Sequence, residues 1–330
     1  MTARGWILFW LMGVLWGIPY LMIKVAVDSD LSPSVVVFTR CALGAALLLP
    51  FAVRQGGLVR VVTTHWRPML AFAGVEILGP WWTLTDAERR ISSSTAGLLI
   101  AAVPIIGAVL ARFFGDTERL GARRLTGLGL GLGGVAVLTV PHLTGGDAWS
   151  LTEVMLTALG YAVAPLIVAR HLRDVPTLQL IAPCLVLAAL VYAPAAVAGR
   201  PAAVPDAPTL ASLAGLGVIC TALAFVVFLE LIREAGPTRA VVFTYVNPAV
   251  AVAAGVTFLD ESLTAGVVAA FALIIAGSFL ATAAPGGGRS TATRRVTWSA
   301  RQTSRAGGRV KTPSGALPEE RPGSTGQGGG

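Results

Sequence analysis

Long apolar runs separated by short polar stretches dominate this chain of 330 residues. A helix needs about 20 consecutive apolar residues to cross a hydrocarbon core roughly 30 Å thick. Only 13% of the residues are charged, 55% are hydrophobic and the mean hydropathy is +0.74, whereas soluble domains are about one-quarter charged. We therefore predict an all-α integral membrane protein. The predicted spans are 6–27, 34–53, 68–85, 93–113, 125–142, 151–169, 177–198, 209–231, 239–259 and 265–283.

The second half of this pattern repeats the first at an offset of 143 to 144 residues. Landmark pairs with this spacing are Pro33 and Pro176, Cys41 and Cys184, Pro50 and Pro194, Arg89 and Arg233, Pro104 and Pro248, and Asp116 and Asp260. Each copy holds about five predicted spans, and an odd number of spans places the second copy upside down in the bilayer. The predicted fold is ten transmembrane helices in two inverted five-helix repeats, 5–143 and 150–283.

The net charge of +8 does not indicate nucleic-acid binding, because the basic residues are distributed by membrane side. With the N-terminus in the cytoplasm, eleven loop arginines lie inside, and only Arg89, Arg90 and Arg200 lie outside. This is the asymmetry of the positive-inside rule. It predicts a multi-pass protein of the cytoplasmic membrane with both termini cytoplasmic. Residues 285–330 are too polar to bury a core, which predicts a disordered cytoplasmic tail.

Short motifs in both copies resemble the EamA domain of the drug/metabolite transporter superfamily. They are WGIPY at 16–20, FTR at 38–40, TYVNP at 244–248 and FLDESLT at 258–264. The resemblance covers about residues 5–283. It implies a ten-helix carrier, not an enzyme, that exports or imports small metabolites, amino acids among them. The third span departs from the family pattern, because it carries Glu76 where an apolar residue is usual.

Several ionisable residues fall inside predicted spans, where each costs at least about 2.5–3.5 kcal/mol unless it faces a cavity or a partner. Arg112, Glu153 and Glu230 lie close to span ends, which leaves Glu76, Arg40 and Lys24 as candidates. Glu76 lies halfway along the third span, where a carboxyl group could couple protons or bind a substrate amine. Arg40 could bind a carboxylate in a bidentate manner, either that of a substrate or that of Glu76. The alternative role for Glu76 is structural, neutralised by Arg40 or Lys24. Lys24 could instead extend its long side chain to the interface.

Prolines mark predicted helix breaks at Pro19, Pro104 and Pro248. A proline inside a helix removes one backbone hydrogen bond and exposes a carbonyl group. Pro104 and Pro248 are repeat mates, and breaks at matching places in two inverted halves indicate a binding site. Polar residues expected to line this pathway are Tyr161, Thr244, Tyr245 and Asn247. The alternatives are a kink needed only for packing and hydroxyl or amide groups bonded to neighbouring backbone.

Gly129, Gly131 and Gly134 match a dinucleotide-binding pattern, but no strand precedes them and no acidic ribose partner follows. With Gly127 and Gly133, the same stretch also has glycines four residues apart. We interpret them as small-residue faces that pack helices in lipid. The three histidines are scattered over loops and no cluster has metal-ligand spacing, so neither a metal nor another cofactor is expected.

Together these features predict a secondary carrier, most simply an exporter of small metabolites such as amino acids, or of drugs, that works by alternating access. Its partners would be a small-molecule substrate and the lipid bilayer, with proton coupling and a homodimer both open and no nucleic acid. A flippase-like or accessory membrane subunit of a lipid-carrier pathway is the alternative. A membrane enzyme of the same architecture is disfavoured, because it would need clustered polar groups at an interface.

Overall fold

Apolar helices make up the regular structure of this protein. The computed structural model describes residues 2–282 except 114–121, 145–147, 236–242 and 244–245, and within these ranges there is no strand. The predicted tail, 285–330, lies outside the described residues. The helices are α1 (Ala3–Gly17), α2 (Pro19–Asp28), α3 (Pro33–Arg54), α4 (Leu58–Ala73), α5 (Gly79–Ala87), α6 (Ser93–Ile100), α7 (Val103–Phe113), α8 (Ala122–Thr144), α9 (Ala148–His171), α10 (Thr177–Ala198), α11 (Ala207–Ala214), α12 (Ala224–Ala235), α13 (Asn247–Phe258) and α14 (Ala265–Thr282).

Five of the described helical segments are long and apolar enough to cross a membrane. They are Ala3–Asp28, Pro33–Arg54, Ala148–His171, Thr177–Ala198 and Ala207–Leu231. Shorter apolar helices cover Ser93–Gly107, Leu125–Val137, Asn247–Phe258 and Ala265–Gly277. The chain is therefore a multi-pass, all-helical membrane protein over its described part, while the count of ten spans stays a prediction.

Several helices are interrupted where the hydropathy pattern predicts continuous spans. The span predicted at 6–27 breaks at Ile18, between α1 and α2, and the span predicted at 93–113 breaks between α6 and α7. Hydropathy does not register such breaks, because the residues that form them are themselves apolar. The third span also differs, since α4 begins at Leu58, ten residues before the predicted start, with an amphipathic first part that carries Arg60 and Arg67.

Two helical segments are π-helices, in which the turn is wider than in an α-helix. Gly74–Leu78 joins α4 to α5, and Gly215–Leu223 joins α11 to α12. The repeat offset of 143 to 144 residues places these segments at equivalent positions in the two copies. Single π-helical turns are rare and occur frequently at functional sites, so their matched positions direct attention to the side chains that they carry.

The helix contacts follow a paired pattern between the two halves of the chain. α3 packs against α10, α8 against α14, and α6 against α13. α5 packs against α9 in the same way that α12 packs against α1. The first two contacts join repeat-equivalent helices, and α5–α9 and α1–α12 are mates in which the two copies exchange roles. A two-fold relation between the halves produces contacts of this kind.

Glycines let α8 and α14 approach closely, and a side chain there is expected to destabilise the protein. A Cβ added to Gly277 would collide with the backbone of Gly131 and lie 2.7 Å from the Gly127 carbonyl oxygen. Because backbone atoms cannot move aside as a side chain can, we expect Gly277→Ala to cost about 1–3 kcal/mol, as overpacking does. Thermal unfolding of the purified protein measures this loss.

Gly129→Ala is the matched control for that substitution. Gly129 lies in the same glycine-rich part of α8, but a Cβ added there would meet no atom within 4 Å. Alanine favours a helix over glycine by about 1 kcal/mol, so this variant should be as stable as the wild type or slightly more stable. Equal losses in both variants would contradict a close α8–α14 contact.

Candidate functional site

Arg40 of α3 lies in the core of the described bundle with 8% of its surface exposed. Its Nε donates a hydrogen bond to Thr221 Oγ1 at 3.0 Å, and its Cζ lies 3.7 Å from the centroid of the Trp81 ring. A desolvated cation–π contact contributes about 2 kcal/mol. Among the described residues, the two terminal guanidinium nitrogens have no hydrogen-bond acceptor. Arg40 is therefore held in place by two contacts while its terminal N–H groups remain available.

The two π-helical segments deliver polar side chains to the neighbourhood of Arg40. Thr221 lies in the second segment, and its hydroxyl donates to the Leu216 carbonyl oxygen at 2.8 Å, five residues earlier. The Thr221 hydroxyl hydrogen is therefore donated to Leu216, and the hydroxyl oxygen accepts the hydrogen bond from Arg40 Nε. Glu76 lies in the first segment and interacts electrostatically with Arg40. The widened turns thus place one acceptor and one acid around a single guanidinium.

Glu76 keeps its carboxylate free of any direct partner in the described part of the chain. It forms no hydrogen bond there and no ion pair within 4.0 Å with Arg40 or Lys24, and the residue is half-buried while its neighbour Ile77 is fully buried. Close packing of α9 supports this segment, because Gly160 has no side chain to collide with the Val75 carbonyl oxygen. An arginine and an acid therefore share the core without a direct ion pair between them.

Aromatic side chains surround this pair of charges. Tyr161 of α9 is half-buried and interacts with Glu76, Arg40 and the Trp81 side chain. Tyr20 of α2 is buried and interacts electrostatically with Tyr161 and Arg40. Trp81 of α5 is 5% exposed and lies against the guanidinium. We call Arg40, Glu76, Tyr161, Tyr20 and Trp81 the central polar group.

The predicted prolines stand at helix starts rather than in helix interiors. Pro19 begins α2, Pro248 is the second residue of α13, and Pro104 is the second residue of α7. Proline is favoured in the first helical turn, where its missing N–H has no partner to lose. The side chain of Pro104 lies outside what the structure describes, as do Thr244 and Tyr245 altogether.

The interruption between α1 and α2 lies against the start of α13. A Cβ added to Gly17, at the end of α1, would lie 3.0 Å from the Asn247 carbonyl oxygen and 2.5 Å from Val250 Cβ. The absence of a side chain at Gly17 is what allows this approach. The side-chain oxygen of Asn247 is buried and has no hydrogen-bond partner among the described residues. An amide oxygen left in this way is open to a donor from a ligand or from water.

One end of the bundle carries a second group of charges, which we call the Glu88 end. Lys24 does not extend freely to the interface; its Nζ pairs with Asp28 at 2.8 Å and donates to the Glu88 carbonyl oxygen at 3.0 Å. Glu261, after α13, caps α6 by accepting from the backbone N–H groups of Ser93 at 2.7 Å and Ser94 at 3.0 Å. These contacts join α2 to the residue after α5, and α6 to the segment after α13.

Arg90 forms a separate clamp at the Glu88 end. It pairs with Asp86 on its own turn and with Glu153 of α9 at 2.9 Å, and it donates to Ser150 Oγ at 2.7 Å. Glu153 is 1% exposed, although its position near the start of a predicted span suggests an interfacial side chain. At the opposite end, Arg4 of α1 and Arg233 of α12 both pair with Glu230, at 2.9 and 2.6 Å.

Sequence reasoning did not nominate Glu88, Thr221 or Trp81. Glu88 fell in a predicted loop, yet it is fully buried at the end of α5. The sequence does contain one indication of this burial. Only three residues separate Glu88 from Ser92, the N-cap of α6, so this connection is too short to extend far into solvent. Thr221 carries no such signal, because threonine is common in apolar helices.

Comparison with known proteins places this arrangement in a family. A sequence profile of the EamA-like transporter family matches residues 3–140 and 148–283. The chain is 24% identical over 257 residues to YedA, an inner membrane transporter of Escherichia coli whose function is uncharacterised, covering 76% of this chain and 81% of that protein. An uncharacterised transporter of Archaeoglobus fulgidus is 24% identical over 282 residues, or 84% of this chain and 98% of that protein.

A solved crystal structure shares the fold. It superimposes with a TM-score of 0.63 at 18% identity and covers 86% of this chain and 98% of its own. The family profile matches most of the chain in two successive copies, and the relatives are membrane transporters. The chain belongs to the EamA-like transporter family, in the drug/metabolite transporter superfamily.

Proposed function

We propose that this protein is a secondary carrier that exports small zwitterionic metabolites, amino acids among them, across the cytoplasmic membrane by alternating access. One observation carries the proposal. Arg40 and Glu76 lie together in the core without forming an ion pair, and both keep groups that can bind a ligand. Isolated charges at this depth are costly, so each needs a compensating charge.

A zwitterion supplies both compensating charges at once. Its carboxylate would accept from the terminal N–H groups of Arg40, whose planar fork suits bidentate binding, and its ammonium group would bind Glu76. Tyr161 interacts electrostatically with both Arg40 and Glu76, and Tyr20 interacts with Arg40, which makes their hydroxyl groups candidates for further polar contacts. A cationic drug would engage Glu76 alone and leave Arg40 without a counter-charge, so we favour a zwitterion.

Alternating access would come from rocking of two inverted five-helix repeats around the central polar group. The exchanged helix pairs and the matched π-helical segments support such a two-fold relation. The distribution of loop arginines supports cytoplasmic termini, which places the Glu88 end outside and the Arg4 end inside. Small-residue contacts between the halves, such as that of Gly17 with α13, would provide the surfaces that move.

A competition experiment in proteoliposomes tests the need for both charges. The purified full chain is reconstituted, and counterflow of labelled L-leucine is measured against three unlabelled competitors: L-leucine, isopentylamine without the carboxylate, and 4-methylpentanoate without the amine. Each deleted charge should weaken competition at least tenfold, because an unpaired buried charge costs 1.4 kcal/mol or more. A pool of other neutral amino acids replaces leucine if leucine itself is not carried.

Two results would contradict this proposal. Equal competition by isopentylamine would show that the amine alone is recognised and would favour a cation exporter. Absence of flux for every amino acid, together with transport only after a partner protein is added, would favour an accessory subunit. Liposomes containing the protein with Arg54→Met, an exposed arginine outside the core, serve as a control for surface charge.

A further inference from the structure

Glu88 is a buried acid that the central polar group does not use. It follows α5, has no exposed surface, and neither of its carboxylate oxygens has a hydrogen-bond partner among the described residues. A carboxylate without partners in such a place costs several kcal/mol. Its negative charge must therefore be compensated by something other than a hydrogen-bond donor of the described protein.

No charged group that faces Glu88 forms an ion pair with its carboxylate within 4.0 Å in the described part of the chain. From α2, Lys24 pairs with Asp28 at 2.8 Å and forms no ion pair with the Glu88 carboxylate within 4.0 Å. From α3, Arg40 is held by Thr221 and Trp81. Glu261 adds a like charge and is already bound to the start of α6.

The remaining neighbours do not supply a cation either. Tyr20 of α2 is within electrostatic range of Glu88 but brings no positive charge. On the same turn as Glu88, Arg90 is bound to Asp86 and Glu153, and Arg89 lies 3.6 Å from Asp86. The local charges thus leave one acid without a counter-charge, in a space from which solvent is excluded.

We propose that Glu88 is a proton-binding site of the carrier, distinct from the substrate-binding Glu76. In the arrangement seen here its carboxyl group holds a proton on oxygen. Release breaks that O–H bond and passes the proton to water at the Glu88 end, and the carboxylate formed then accepts a hydrogen bond from Lys24 Nζ. A proton fits this site better than a substrate ammonium group, because the carboxyl group has no accessible surface.

The position of Glu88 explains how such a proton could affect transport. Pairing with Glu88 would draw Lys24 from Asp28, and a carboxylate at Glu88 would repel Glu261, which caps α6. α2 and α6 are the helices that flank the interruptions after α1 and before α7. The protonation state would thereby bias the Glu88 end between open and closed. This inference presupposes the carrier function proposed above, but its spectroscopic test needs no substrate.

Infrared difference spectroscopy on the purified full chain detects the proton directly. A protonated carboxyl group has a C=O absorption that a carboxylate lacks, so wild-type protein should lose such a band as the pH is raised. Glu88→Gln should lack this band, Glu88→Asp should shift it, and the control Asp30→Asn, at an exposed acid just after α2, should retain it. An unchanged band in Glu88→Gln would overturn the assignment. Loss of the wild-type band when Na⁺ is added at constant pH would also overturn it.

Transport measurements test the Glu88 proton site independently of the proposed substrate class. In proteoliposomes, an imposed pH gradient should accelerate L-leucine transport at least tenfold in the wild type and not at all in Glu88→Gln, while counterflow without a gradient continues in both. Gradient-driven accumulation by Glu88→Gln would overturn the coupling role. A titrating band assigned to Glu88, in a protein that carries no amino acid, would support the proton site and remove the proposed substrate class.

Discussion

Arg40→Met is expected to reduce amino acid counterflow about 100-fold or more while the protein remains folded. Methionine fills a similar volume against Trp81 but removes the donors that would bind a substrate carboxylate. Loss of one partner from a buried, hydrogen-bonded charge pair costs about 2–5 kcal/mol, and 2.8 kcal/mol corresponds to about 100-fold. Counterflow in proteoliposomes with equal amounts of inserted protein measures the change.

Arg40→Lys and Arg54→Met distinguish this effect from simpler ones. Lysine keeps the positive charge but cannot maintain the Nε bond to Thr221 or bind a carboxylate with a planar fork, so transport should remain strongly reduced. Arg54→Met removes an exposed arginine that also lies near an aromatic ring, Phe51, and should transport normally. Wild-type transport by Arg40→Met would rule out carboxylate binding by Arg40.

Sequence alone predicts those residues of the central polar group whose type is rare inside an apolar span. An acid or arginine halfway along an apolar span is conspicuous, and this selected Glu76 and Arg40. Whether they pair with each other could not be predicted, because that depends on the local widening of the helix at Gly74–Leu78. Hydrophobic periodicity does not distinguish a π-helical turn from an α-helical one.

The all-helical membrane fold followed from apolar run length, and the family from motifs in two copies. The residues at which helices start were harder to predict. The start of α4 at Leu58 was missed because its first turns are amphipathic and resemble a loop in a hydropathy profile. Glu88 was missed for a related reason, since a polar stretch between two spans is ordinarily solvated, whereas here Glu88 of that stretch is fully buried.

Gly97→Ala is expected to destabilise the protein and to impair transport by separating α6 from α13. A Cβ added to Gly97 would lie 2.5 Å from Ala251 Cβ, a distance that real Cβ atoms do not tolerate, and 3.5 Å from the Tyr20 ring. Ala251 is fully buried, and its Cβ is fixed to the backbone, so the helices themselves must move apart. We expect a loss of about 1–3 kcal/mol, measured by thermal unfolding, and slower counterflow.

A compensating substitution makes this expectation specific to one contact. Ala251→Gly removes the atom with which the new Cβ collides, so Gly97→Ala with Ala251→Gly should recover part of the lost stability and transport. Residues in direct contact show coupling energies of about 0.5–3 kcal/mol in such cycles. Gly107→Ala, where an added Cβ meets no atom within 4 Å, should leave both properties unchanged. Additive effects of the two substitutions would mean that α6 and α13 do not meet at Gly97, and the contact of the two halves beside Tyr20 would lose its support.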